Sequence, residues 1–119
     1  MTGLILFAHG ARDERWREPF DRLLQRVRSG HDGPVELAFL EFMQPDLATA
    51  ATTLARSDVT RIVVVPLFLG TGGHLRRDLP RMLEQAQQAA GVEISAVSAA
   101  GEEDEVLDAI ARYCLRSAR

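Results

Sequence analysis

The chain has 119 residues, 46% of them hydrophobic and 6% aromatic, with 14 basic and 17 acidic side chains and a formal charge of −3. That length suits one compact domain, residues 1–119, able to bury a core without staples. The acid excess excludes the basic footprint of a nucleic-acid binder. All basic residues are arginine, and the single cysteine, Cys114, excludes an internal disulfide, a Cys-rich zinc site and a protein-held iron–sulfur cluster. The apolar run Gly3–Ala8 is far shorter than the roughly 20 residues that span a bilayer, and no charged leader accompanies it. The expectation is a cytoplasmic protein with no membrane contact.

Four short apolar runs alternate with four amphipathic stretches. Leu4–Ala8 predicts a first strand, its unbroken apolar character suiting burial on both faces. Phe20, Leu23, Leu24 and Val27 then fall at helical spacing, with Pro19 in the first turn. The run VELAFL predicts a second strand to Leu40, and Leu47, Ala51, Leu54 and Ala55 a helix behind Pro45. Ile62–Leu69 predicts the third strand. Leu79, Met82, Leu83, Ala86 and Ala90 form a third helical stripe closed by Gly91. Val92–Val97 predicts the last strand. Leu107, Ile110, Ala111 and Cys114 make the stripe of a final helix, whose acidic start at Glu102–Glu105 suits the helix dipole. This βαβαβαβα pattern predicts a four-stranded parallel sheet with helices on both faces, in flavodoxin-like order 2-1-3-4.

In such sheets ligands bind beyond the carboxyl ends of the strands. The first strand ends at His9, the second runs into Glu41, and the third leads through Gly70, Thr71, Gly72 and Gly73 to His74. Neighbouring strands lie ~4.8 Å apart, so two imidazoles and a carboxylate start close together. A His/His/Glu set with open positions suits a divalent transition metal. Each residue also has a plainer reading: a turn-capping His9, a solvated Glu41, a surface His74. The glycines permit positive φ and let backbone N–H groups approach an anion, or they make a tight turn. Arg12, Arg76 and Arg77 lie at the same edge, where they hold substrate carboxylates in bidentate fashion or remain solvated. Trp16 and Phe42 are aromatic candidates for a flat ligand or for packing. His31 lies at the opposite edge and reads as surface.

The segments LILFAHGARDERWREPFDRL, VELAFLEFMQPDL and VVVPLFLGTGGHLRRDLP resemble the short CbiX-type sirohydrochlorin cobaltochelatases, a branch of the class II tetrapyrrole chelatases related to siroheme ferrochelatases. The resemblance covers about residues 4–83. It implies insertion of Co²⁺ into sirohydrochlorin in cobalamin biosynthesis, with the metal as substrate and no organic cofactor. It also implies that His9 of the H-G-[SA]-R motif and His74 of the G-x-G-G-H motif are catalytic and metal-binding, joined at the metal by Glu41 of the F-L-E motif. A homodimer holding the tetrapyrrole in a cleft follows from the same likeness. The segment SAAGEEDEV departs from the family in lacking a histidine near its glycine. Fe²⁺ or Ni²⁺ in place of Co²⁺, giving a siroheme ferrochelatase or nickel chelatase, is the alternative within the family. A non-catalytic metal or tetrapyrrole carrier is the alternative of another class, and a flavin module a third.

Overall fold

The computed structural model describes residues 1–119. Strand β1 (Thr2–Ala8) leads through a 3₁₀ turn to helix α1 (Glu18–Gly30), then to β2 (Val35–Phe39) and α2 (Leu47–Ala55). Strand β3 (Arg61–Pro66), α3 (Gly73–Ala90), β4 (Glu93–Ala96) and α4 (Asp104–Ser117) follow. The sheet order is β2-β1-β3-β4 and every pairing is parallel, as the alternating pattern predicts. Strand β1 therefore sits inside the sheet, and its carboxyl end at Ala8 lies between those of β2 and β3.

Two apolar layers hold the sheet. On one face Ile5, Phe7, Ile62, Val64 and Ile94 pack beneath α2 and α3; on the other Leu6, Val35, Leu37 and Phe39 pack beneath α1. Side chains alternate across a strand, which is why neighbours in sequence serve opposite layers. Fully burying each such side chain contributes roughly 1.5–3 kcal/mol. No polar side chain is buried, so the molecule's polar chemistry is confined to its surface and loops.

The helix ends follow local rules. Pro19 lies in the first turn of α1, and Gly91 closes α3 in the left-handed conformation at φ 75°. Asp46 caps α2 by accepting the Thr49 N–H at 2.8 Å. Hydrogen bonding from Thr49, side chain first and then backbone, holds the Asp46 carboxyl below its ordinary pKa.

Four expectations change. The third strand ends at Pro66 rather than Leu69, because the Leu67 N–H makes the last bond to β1, at Phe7 O. The Phe68 carbonyl then turns to the Gly101 N–H. Helix α3 begins at Gly73, so His74 stands in its first turn and not in a loop. None of Gly70, Gly72 and Gly73 adopts positive φ; among glycines only Gly10 and Gly91 do. Finally, α4 does not cover the sheet: none of its residues is buried, and Cys114 on its apolar stripe is exposed.

Candidate active site

The carboxyl edge of β1 is built by a single backbone device. The Leu40 N–H donates to Ala8 O at 2.9 Å and the Glu41 N–H to His9 O at 3.0 Å, extending the β1–β2 ladder past the strands. That extension sets His9 beside Glu41. Gly10 makes it possible: its φ is 94°, and a Cβ there would fall 1.9 Å from the Glu41 carbonyl oxygen. The chain then reverses at Phe42, where the Met43 N–H donates back to Glu41 O at 2.8 Å and Phe42 takes φ 67°. A bulky residue in that region is strained, and such strain gathers at functional sites.

His9 Nε2 and Glu41 Oε2 lie 3.1 Å apart, with side chains 55% and 44% exposed. An ionised carboxylate only accepts, so neutral His9 carries its proton on Nε2 and keeps a lone pair on Nδ1. The Phe68 ring stands edge-on to the imidazole, 6.4 Å between centroids. Beyond His9 opens a cavity of about 350 Å³ whose wall includes His74, Leu75 and Asp78 from the first turns of α3, with Gly70 and Gly72. His9 and His74 thus face one hollow, while His9, Glu41 and His74 are not drawn together as a three-residue metal cluster. Asp78, which the sequence offers only as a partner for the arginines or a helix cap, joins the hollow because its spacing four residues after His74 places both on one helix face.

The remaining candidates divide. Arg12 lies over the exposed Phe42 ring, 4.5 Å from its centroid, so both flank the His9–Glu41 pair with polar and apolar surface. Arg76 reaches Glu102 at 3.6 Å, and Arg77 turns back to Gly73 O at 3.3 Å and to His74 Nδ1 at 3.5 Å. A Cβ at Gly70, Gly72 or Gly73 would meet nothing within 4 Å. The chain itself does not require glycine there; what the missing side chains leave is room for a ligand to approach the start of α3. Thr71 instead lines an apolar hollow of about 290 Å³ beside Phe68 and Leu75. Leu69, 64% exposed beyond the end of β3, adds apolar surface at this edge. Trp16 stacks on Phe20 at 4.5 Å and serves packing. His31 is no free surface residue: its Nε2 donates to the Thr2 carbonyl at 2.8 Å, at the far edge of the sheet.

The CbiX family model matches residues 3–116. The chain belongs to the CbiX family. Among curated CbiX-like relatives, the sirohydrochlorin cobaltochelatase of Sulfurisphaera tokodaii is 33% identical over 108 residues, covering 91% of this chain and 87% of the relative. A crystal structure of a cobalamin (vitamin B12) biosynthesis CbiX protein from Marinobacter aquaeolei VT8 superposes with a TM-score of 0.88 at 32% identity, covering 98% and 97% of the two chains. The sirohydrochlorin chelatase SirB from Bacillus subtilis subspecies spizizenii, in complex with cobalt, superposes with a TM-score of 0.78 at 26% identity. This CbiX-family chain is covered to 93% there but spans only 48% of SirB. A further Bacillus subtilis SirB structure holds Fe³⁺.

Proposed function

We propose that this chain is a sirohydrochlorin cobaltochelatase that inserts Co²⁺ into sirohydrochlorin for cobalamin biosynthesis. The observation that carries the reading is the His9–Glu41 pair at the mouth of a hollow shared with His74, in a chain whose family and curated relatives have this activity.

The chemistry asks three things of the site: a hydrated divalent ion must lose water, two pyrrole N–H protons must leave, and the metal must move onto the ring nitrogens. His9 takes the central part. Its hydrogen bond to Glu41 fixes the ring, leaving Nδ1 to ligate the ion or accept a pyrrole proton. His74, across the hollow, supplies the second imidazole, and Glu41 acts through His9 by holding its ring. Arg12, Arg76 and Arg77, with the backbone of Gly70–Gly73, meet the carboxylates of the macrocycle. Arg76 and Arg77 give up only exposed or long partners to do so, Glu102 at 3.6 Å and His74 at 3.5 Å. Phe42 and Leu69 offer the ring apolar contact.

Residues 1–119 act as one lobe, and two copies form a homodimer whose second subunit walls the other side of the tetrapyrrole. The metal has a second reading, since SirB binds cobalt in one structure and Fe³⁺ in another. Anaerobic insertion rates for Co²⁺, Fe²⁺ and Ni²⁺ test it. Co²⁺ is expected to be fastest, and a clear preference for Fe²⁺ would make the protein a siroheme ferrochelatase.

A further inference from the structure

Phe68 and Leu75 wall two hollows at once. On one side lies the hollow that His9 and His74 face. On the other is the apolar hollow of about 290 Å³ beside α3, where Leu79, Leu83, Val97 and Ala99 join them. That volume stands near the lower end for small-ligand sites, which are apolar with a few placed polar groups. The only charged side chains on its wall are Arg76 and Glu102, 3.6 Å apart. Neither the hollow nor Glu102 has a part in metal insertion itself.

The backbone sets Glu102 there. The Gly101 N–H donates to Phe68 O at 2.9 Å, and a Cβ on Gly101 would run into the Leu69 carbonyl, so the 3₁₀ turn Ala100–Glu102 lies flush on the segment after β3. The pair that results is loose. At 3.6 Å the guanidinium is beyond hydrogen-bond distance of the carboxylate, and the two side chains are 66% and 51% exposed. Arg76 is thus held by charge beside an apolar hollow while its N–H donors stay free for a closer acceptor.

We propose that this hollow is a slot for one carboxyalkyl arm of the tetrapyrrole, its methylenes against Leu79 and Val97 and its carboxylate on Arg76, and that Glu102 holds the place of that carboxylate until substrate displaces it. This rests on the tetrapyrrole substrate proposed above and adds the slot and its internal competitor. Three observations select the occupant. An apolar wall with one arginine matches an alkyl stem ending in a carboxylate, and a bidentate contact at about 2.7–2.9 Å outcompetes a screened one at 3.6 Å. The slot shares Phe68 and Leu75 with the catalytic hollow, so an arm lodged in it leaves the ring beside the two imidazoles. No second cation lines the wall, so the slot takes a single arm. An arm ending in a methyl group gains nothing from Arg76 and leaves Glu102 in place.

Anaerobic titration of metal-free sirohydrochlorin, followed by its fluorescence, reads binding apart from insertion. Glu102→Gln is expected to tighten binding about two- to fivefold, the worth of a screened exposed pair. Arg76→Gln is expected to weaken it about tenfold, and adding Glu102→Gln to that variant is expected to change nothing, since the competition runs through Arg76. Ser98→Phe fills the hollow from an exposed position and is expected to weaken binding about tenfold at unchanged Tm, the worth of two methylenes returned to water. Glu93→Gln removes the same charge at the amino end of β4 and is expected to bind as wild type. Tightening that persists without Arg76, or that Glu93→Gln matches, would reduce Glu102 to general repulsion of a polyanion and overturn its role. Wild-type binding by Ser98→Phe would overturn the slot. A wild-type chain that binds no sirohydrochlorin would overturn the substrate reading as well, whereas firm wild-type binding with all of these variants silent would overturn the slot alone.

Discussion

Separating His9 from Glu41 distinguishes a structural contact from a catalytic one, because the two roles differ in magnitude. The pair is half exposed, 55% and 44%, so its contact is screened by solvent and is worth ~0.2–1 kcal/mol at most. For a chain of this size that is a shift in Tm of about 5 °C or less. Removing a ligand or proton acceptor instead costs roughly 10²–10⁴ in rate, or ~3–5.5 kcal/mol of barrier. His9→Ala is therefore expected to melt within a few degrees of wild type while losing nearly all enzyme-dependent insertion. Glu41→Gln keeps the shape but loses the carboxylate charge and is expected to lose less. If Glu41 acts through His9, the double variant is no slower than His9→Ala, so the losses do not add. Anaerobic cobalt insertion read by absorbance, with thermal melts of the same samples, provides both axes. His31→Ala serves as control, since its ring meets Thr2 at the other edge of the sheet. Wild-type turnover by His9→Ala, or losses that multiply fully in the double variant, would refute the pairing.

Other outcomes follow from the same geometry. Asp46→Ala is expected to cost about 1 kcal/mol at neutral pH by uncapping α2. Because the folded-state pKa of Asp46 lies below its unfolded value, that cost is present above about pH 4 and fades as the pH falls through the lowered value; melts across pH 2–7 read it, and a pH-independent difference would contradict it. Gly10→Ala forces a Cβ onto Glu41 O and is expected to lower Tm and the insertion rate together, whereas a silent substitution would mean that the ladder beyond β1 is dispensable. Phe42→Gly removes a strained φ along with the aromatic face and is expected to raise KM for the tetrapyrrole without lowering Tm, and an unchanged KM would take Phe42 out of the binding surface.

The sheet was legible because β1, β2 and β3 are apolar runs broken by glycine, proline or acid, and connection rules leave few orders for four parallel strands. The site was legible in part, since His9, Glu41 and His74 each follow a strand in sequence and strand ends share an edge. What sequence could not give was set by contacts across the chain. The φ of Phe42 depends on the Glu41–Met43 hydrogen bond, and the pull of Arg76 depends on Glu102, 26 positions away. Asp78 was masked by its neighbours in a charged run. Helix α4 misled for a physical reason: its stripe states that an apolar partner exists, but a periodic pattern carries no information on whether that partner is the same chain.

The most direct test of the account is anaerobic absorbance of sirohydrochlorin with Co²⁺, with and without catalytic amounts of the protein. The account predicts acceleration over the spontaneous rate with many turnovers per chain. A shifted, tightly bound spectrum formed once per chain, with no acceleration, would contradict it and make the protein a carrier.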